Sequence, residues 1–299
     1  MSHWDILQRL ATYATRRSAG SLPWPAIHRS SIAPPRPHSI EPACAISEHR
    51  YSKIIDGRIK ISIIYNYFAK AATIFQSLES LHAQSHNTFR PEQVEIILID
   101  DGTMGEDVAE RLPENVTYLW QRKQHYGICR AKNTGAKLAN GDILVFLDPD
   151  ITVSPGYLDA AIDAFRAFGP RAVLCGYIWD YHFAGCPDPR TEFGVWERPG
   201  QPTRRFYQLA GGNMAITREL FSETAGFDED LIYGGVEDLL FGYHIGKLPN
   251  TSVVFLPGME GRHIPHPPSP AHADPQATWA IVRRKWPDFY RDYITLGIR

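Results

Sequence analysis

Asp148-Pro149-Asp150 follows directly on the apolar run ILVFL, and two carboxylates one residue apart at the end of a buried strand need compensation. Alone they repel each other and resist desolvation, so a divalent cation or hydrogen-bond donors must offset them. The plainer alternative is a turn in which Asp148 caps the next helix and Asp150 faces solvent. Other short polar clusters accompany this one. Asp100-Asp101-Gly102 ends the run VEIILI, and Gly127 to Gly135 (GICRAKNTG) opens the helix before ILVFL. Gly211-Gly212-Asn213 follows a long loop, and Gly235-Val236-Glu237-Asp238 opens a later helix.

The surrounding pattern is that of alternating strands and helices. IKISIIYNY, VEIILIDDG and GDILVFLDPD are continuous apolar runs of the kind buried on both faces of a parallel sheet. KAATIFQSLESLHAQ repeats its apolar residues at helical spacing, so strand, helix and strand succeed one another as in a parallel βαβ unit. The acids then fall at strand C-termini, the edge where open parallel sheets bind ligands. Further on, SPGYLDAAIDAFRAF predicts a helix capped by Ser154 with Pro155 in its first turn. RAVLCGYIWDY, QLAGGNMAI and SVVFLPG predict strands, GRHIPHPPSPAHADP a loop, and QATWAIVRRKWPDFYRDYI one closing helix.

Composition narrows the class. The 299 residues carry 31 Lys+Arg against 33 Asp+Glu, a formal net charge of -2, and 43% are hydrophobic. That is enough apolar material for a core, and it provides no basic field to gather nucleic acid. No run of about 18 apolar residues occurs, and residues 1–17 lack a signal-peptide core, so neither a membrane span nor secretion is expected. Cys44, Cys129, Cys175 and Cys186 show no metal or disulfide spacing, which makes a reducing cytoplasm, including its membrane surface, the expected setting. Residues 1–58 are Pro-rich and basic and read as an appendage, partly helical, that tethers or wraps one α/β domain over 59–299.

The order and spacing of the clusters resemble the GT-A glycosyltransferases of family 2. The counterparts are Ile61 to Ala69, Asp100 to Thr103, Gly127 to Gly135, Asp148 to Asp150, Gly211 to Asn213, Gly235 to Asp238, and His263. GGNMAITRELFSETAGFDEDLIYGGVEDLLFGYHI looks most like the branch shared with chondroitin polymerases, polypeptide N-acetylgalactosaminyltransferases and β-1,4-galactosyltransferases. The first strand departs from the family's Pro-Thr-Tyr-Asn ending, with Asn66 in place of the Pro and Ala69 in place of the Asn. Lys132 stands where the usual Arg would be, with Arg130 two residues earlier.

The resemblance implies a Rossmann-like, mostly parallel sheet flanked by helices, and transfer of a sugar from a UDP-sugar donor to a hydroxyl of a glycan or glycoconjugate acceptor. Departure of a nucleoside diphosphate leaves growing negative charge, which Mn²⁺ or Mg²⁺ would stabilise as a Lewis acid. By resemblance Asp150 is the direct metal ligand and Asp148 bridges ribose and metal. A late imidazole, His263 with His266 as the rival, would favour Mn²⁺. Tyr67 belongs to the nucleotide site. Asp100 or Asp101 would accept from the N3–H of uracil, with an Asx-turn as the alternative for the one that does not. Arg130 and Lys132 would neutralise diphosphate charge. Gly211, Gly212 and Asn213 would line the donor sugar.

Asp238 is the expected general base of an inverting transfer, with Glu237 holding sugar or acceptor hydroxyls. Helix N-terminal acids that merely complement the macrodipole are the alternative. Trp179, Tyr181, Phe193 and Trp196 flank the long loop, as acceptor platforms or as packing. Rival readings are retaining transfer and a sugar- or nucleotide-binding protein that has lost catalysis. A nucleotidyltransferase would need a glycine-rich loop after the first strand, and YNYFAKAATIF has no glycine.

Overall fold

The structure is a computed structural model, and it describes residues 59–85, 87–103, 108–122, 127–180, 202–203, 209–231, 236–266 and 275–295. The expected extension over 1–58 lies outside them, as do Tyr181, Phe193, Trp196, Gly234, Gly235 and residues 267–274 of the Pro/His-rich loop.

Ile61–Tyr67 forms β1, with all but one residue buried. Ala71–His82 forms α1, and Val94–Asp100 returns as β2, parallel to β1 with Tyr67 opposite Asp100. After the single turn α2 (Val108–Arg111) comes β3 (Val116–Trp120), parallel to β2 at the sheet edge. Helix α3 (Ile128–Leu138) then carries the chain to β4 (Ile143–Leu147), which is wholly buried and parallel to the other side of β1. These are the three apolar runs of the sequence, and both of their faces are covered. The chain moves outward from β1 to β3 and then returns to β4, so the strand order reverses between β1 and β4. Loops diverge at such a point and leave a crevice beyond the strand C-termini.

The remaining strands are β5 (Ile151–Val153), β6 (Ala172–Trp179), β7 (Pro202–Thr203), β8 (Asn213–Thr217) and β9 (Ser252–His263), with α4 (Tyr157–Phe168) between β5 and β6. The sheet order is β3-β2-β1-β4-β8-β6-β9-β5, with β7 also on β9. The β3-β2-β1-β4 half is parallel as expected, whereas β8 runs antiparallel to both β4 and β6 and only β6/β9 restores a parallel pair. The domain is therefore mixed α/β. After β8 come α5 (Arg218–Ser222), capped by the Thr217 side chain, and α6 (Glu237–Lys247).

Three local expectations change. Helix α4 starts at Tyr157 after Gly156, without a side-chain cap, because Ser154-Pro155-Gly156 forms a turn whose carbonyls accept from Gln84, Ser85 and Tyr157. The closing helix is two, α7 (Pro275–Lys285) and α8 (Pro287–Thr295), since Pro287 cannot continue the first and begins the second. Strand β9 runs through Pro257-Gly258 to His263, with an irregularity in its pairing to β6 between Gly176 and Ile178. His263 is therefore a strand residue placed opposite Ile151, directly after Asp150.

Candidate active site

At the C-terminal ends of β1 and β2, the backbone N–H of Asp101 donates to Tyr67 O at 2.8 Å, closing the crevice floor. Tyr67 is fully buried, and Asp100 and Asp101 are 2% and 4% exposed. Asp100 accepts from Thr103 N on Oδ1 and from the Tyr118 hydroxyl on Oδ2, both at 2.8 Å. Asp101 accepts from Gln121 Nε2 and Gly127 N, both at 2.9 Å, with Arg130 3.8 Å away. Each oxygen of the pair thus already has one donor, and Asp100 ties down its own loop through the N–H three residues on, at Thr103. Arg130 turns its guanidinium to Arg122 O at 2.6 Å in the same loop.

The centre is Asp148. Its Oδ1 is buried without a hydrogen bond, as is Asn66 Oδ1 beside it. Burial raises the Asp148 carboxyl above the usual range; the Lys132 charge opposes that, while Asp150 and Asp238 add to it. Lys132 itself is 1% exposed and lies 5.1 Å over the Phe227 ring. A Cβ on Gly211 would lie 2.7 Å from Lys132 Nζ and 3.2 Å from Asp238 Cβ, so the glycine pair lets backbone, ammonium and both acids meet. Asp238 Oδ2 accepts from Gly211 N at 3.0 Å. Tyr293 of α8 is pushed up to about 12 by burial, with the Asp238 charge adding.

The other flank is a cluster of Asp150, His263 and His266, whose nearest ligand atoms all lie within 4.8 Å of one another. His266 Nε2 is 2.9 Å from Asp150 Oδ2, and His263 Nε2 is 3.9 Å from Asp150 Oδ1. Ile264 N donates to Asp150 O at 2.7 Å, pinning the chain just after His263, the last residue of β9, and before His266. Burial would raise Asp150, but the His266 hydrogen bond, the Lys70 ammonium and His263 together hold it at about 2. Burial lowers His263 despite the opposing Asp150 charge, keeping it in the neutral form that binds metals. Its Nδ1 is buried with no partner. One carboxylate and two imidazoles make a donor set that fits Mn²⁺, and the orphaned His263 nitrogen and Asp148 oxygen are atoms such an ion and its ligands would satisfy.

Over residues 61–217 the chain matches the model of the family described as glycosyl transferase family 2. The chain belongs to that family. It is 28% identical over 267 residues, covering 77% of this chain and 43% of the relative, to polypeptide N-acetylgalactosaminyltransferase 11 of Xenopus tropicalis. It is 25% identical over 241 residues, 68% of this chain and 52% of the relative, to validoxylamine A glucosyltransferase of Streptomyces hygroscopicus subsp. limoneus. The chain thus spans about half the length of these curated relatives. The crystal structure of GalNAc-T7 with UDP, GalNAc and Mn²⁺ shares the fold at TM-score 0.58 and 20% identity, over 79% of this chain and 49% of that one.

Within this family 2 domain, the structure gathers Asp148, Asp150, Lys132, Gly211, Gly212 and Asp238 at the switch-point crevice. The two histidines read as rivals lie together. Asn213 is the exception. Its Oδ1 accepts from the Tyr157 hydroxyl at 2.8 Å and its Nδ2 donates to Tyr177 O and Met259 O, so this fully buried amide locks β8 to β6 and β9 instead of facing a sugar. Glu237 is buried in the first turn of its helix, and one of its carboxylate oxygens accepts from the neighbouring Val236 N at 3.1 Å. Trp179 packs edge-on against Tyr177 at 4.6 Å, which favours packing over acceptor stacking for that ring. Lys70 and Tyr293 carry no signal in the sequence, and Asn66 stands out there only as a departure from the family's first-strand motif. A lysine just before a helix reads as solvated, and only the loop geometry turns this one inward.

Proposed function

We propose that this chain is a metal-dependent glycosyltransferase that moves a sugar from a UDP-sugar to a hydroxyl of a glycan or glycoconjugate, with inversion. The observation that carries it is the Asp150, His263 and His266 cluster beside buried Asp148, at the strand edge of a family 2 domain. The relatives transfer sugars by name, and the GalNAc-T7 neighbour binds UDP and Mn²⁺ by title, which supports the donor class and Mn²⁺ ahead of Mg²⁺.

Asp150, His263 and His266, with Asp148 beside them, would hold a divalent ion, which would supply Lewis-acid stabilisation of the departing diphosphate. Lys132 holds a second positive charge between Asp148 and Asp238, and its burial strengthens attraction for the diphosphate. Arg130 lies at the rim of the same crevice. Asp100 or Asp101 would accept from the N3–H of uracil, with Tyr67 buried beneath them at the end of β1. Gly211 and Gly212 keep the backbone low where the sugar must lie. Asp238, oriented by the Gly211 N–H, takes the acceptor proton as oxygen attacks the anomeric carbon, and Glu237 beside it would hold sugar or acceptor hydroxyls. No helix among the described residues is long and apolar enough to cross a membrane.

The test is thermal unfolding with UDP, GDP, CDP and TDP, with and without Mn²⁺. Ligand at 100 times its dissociation constant stabilises by about 2.7 kcal/mol, which a melting scan resolves. A shift specific to UDP and requiring Mn²⁺, followed by turnover in a UDP-sugar panel, supports the reading. Absence of a shift with every nucleotide overturns it in favour of a binding protein on the same fold.

A further inference from the structure

The cation cluster contains a fourth group. Lys70 Nζ lies 2.9 Å from Asp150 Oδ2 and 2.5 Å from His266 Nε2, with His266 Nδ1 at 3.1 Å. Asp150 Oδ2 and His266 Nε2 are themselves 2.9 Å apart, so the ammonium completes a small triangle with two atoms of the candidate metal site. A divalent ion at the ordinary distance of about 2.1 Å from both atoms would either overlap the ammonium or face it as a like charge a few ångström away. The two cations exclude each other.

The position of Lys70 is built into the loop. Ala69, the residue before it, has φ 50, a left-handed conformation that an L-residue other than Asn, Asp or Gly seldom takes. Its backbone N–H donates to Thr103 Oγ1 at 2.9 Å, tying the turn to the Asp100 loop. Lys70 O then accepts from Thr73 N and Ile74 N, both at 3.0 Å, which fixes the start of α1. With its backbone held at both ends, the Lys70 side chain extends into the crevice and is 18% exposed.

We propose that Lys70 is a resident internal cation of this site: its ammonium occupies the metal position until a divalent ion displaces it, so metal loading is an exchange of one cation for another and Lys70 sets the metal affinity. The inference rests on Asp150, His263 and His266 being the metal ligands. In the metal-free state Lys70 balances the Asp150 charge and keeps the cluster assembled. On loading, the long flexible stem lets the ammonium swing out while Asp150 and the imidazoles stay in place.

The experiment measures Mn²⁺ binding to the full chain without nucleotide, by titration calorimetry and by the paramagnetic resonance of free Mn²⁺. Wild type, Lys70→Met, Lys70→Gln and Lys70→Arg are compared, each with its melting temperature. Both neutral variants are expected to bind Mn²⁺ at least tenfold more tightly than wild type, and Lys70→Arg no more tightly. Equal or weaker binding by both neutral variants, with wild-type binding intact, overturns the internal-cation role and leaves the metal site standing. Adding His263→Ala and His266→Ala to Lys70→Met separates the two ideas. If that triple variant binds as Lys70→Met does, or if no variant binds Mn²⁺ at all, the metal-site reading itself fails and the exchange falls with it.

Discussion

Gly212 packs against Asp148 with no room for a side chain. A Cβ there would lie 2.6 Å from the Asp148 carboxyl carbon and closer still to Oδ2, while Gly212 O accepts from Asp148 N at 3.0 Å. Backbone and carboxylate of the same residue are thus held by one glycine across β4 and β8. Gly212→Ala is expected to force Asp148 off its position and to lower stability by about 1–3 kcal/mol, the usual scale of overpacking. Gly211→Ala meets the flexible end of Lys132 instead, and should disturb the fold less. Melting temperatures of the two variants, read with UDP and Mn²⁺ binding, check the contrast. Equal stability of Gly212→Ala and wild type would contradict it.

His263 and His266 both approach Asp150, so neither should be dispensable for metal. Even outer-shell partners of a metal are worth about 10–100-fold in affinity, and a direct imidazole should count for no less. His263→Ala and His266→Ala are each expected to weaken Mn²⁺ binding by at least about tenfold, and Asp150→Ala to abolish it. Isothermal titration decides, and wild-type affinity in either histidine variant removes that residue from the site.

Asp238 keeps its place through the Gly211 N–H, a bond that an Asn oxygen at the same position can still accept. Asp238→Asn should therefore leave UDP and Mn²⁺ binding near wild type and lower turnover by about 10²–10⁴-fold, the range of general-base loss. Single-turnover rates beside nucleotide affinity measure the split. Near-normal turnover in Asp238→Asn would exclude the base role and favour a retaining course that needs no base at this position.

How far the sequence could be read differs by element. β1, β2 and β4 are legible because burial on both faces leaves uninterrupted apolar runs, and the acids after them mark the ligand edge. The end of β9 is not, because Pro257-Gly258 carries the signal of a turn, and the chain spends it on an irregularity in the pairing with β6. Beyond it the strand resumes and delivers His263 to Ile151, a pairing that local spacing does not encode. Asn213 illustrates the opposite error, since a motif position was visible but the direction of its amide was not. Lys70 was illegible for a related reason: its destination depends on contacts with residues 80 and 196 positions later in the chain.

Asp159, in the first turn of α4, holds the segment after α1 in place. Its Oδ2 accepts from Ser85 Oγ and Asn87 Nδ2 at 2.9 Å, and its Oδ1 from Thr88 N at 2.9 Å and Thr88 Oγ1 at 2.6 Å. Burial opposes the charge, but these donors outweigh it and lower the carboxyl below its ordinary value. A group lowered on folding stabilises the fold above the unfolded-state value of about 3.9, and that contribution is lost as pH falls through the folded value. Asp159→Asn would turn an amide NH₂ toward Asn87 Nδ2 or Thr88 N, which can only donate, and should cost about 2 kcal/mol at pH 7. The gap between wild type and Asp159→Asn should be constant from pH 7 down to about 5 and shrink below about pH 4, because the wild-type carboxyl then takes up its proton. Urea unfolding of both proteins across that range measures it. A gap that stays the same at pH 3, or widens there, would show that the carboxylate charge is not what anchors this segment.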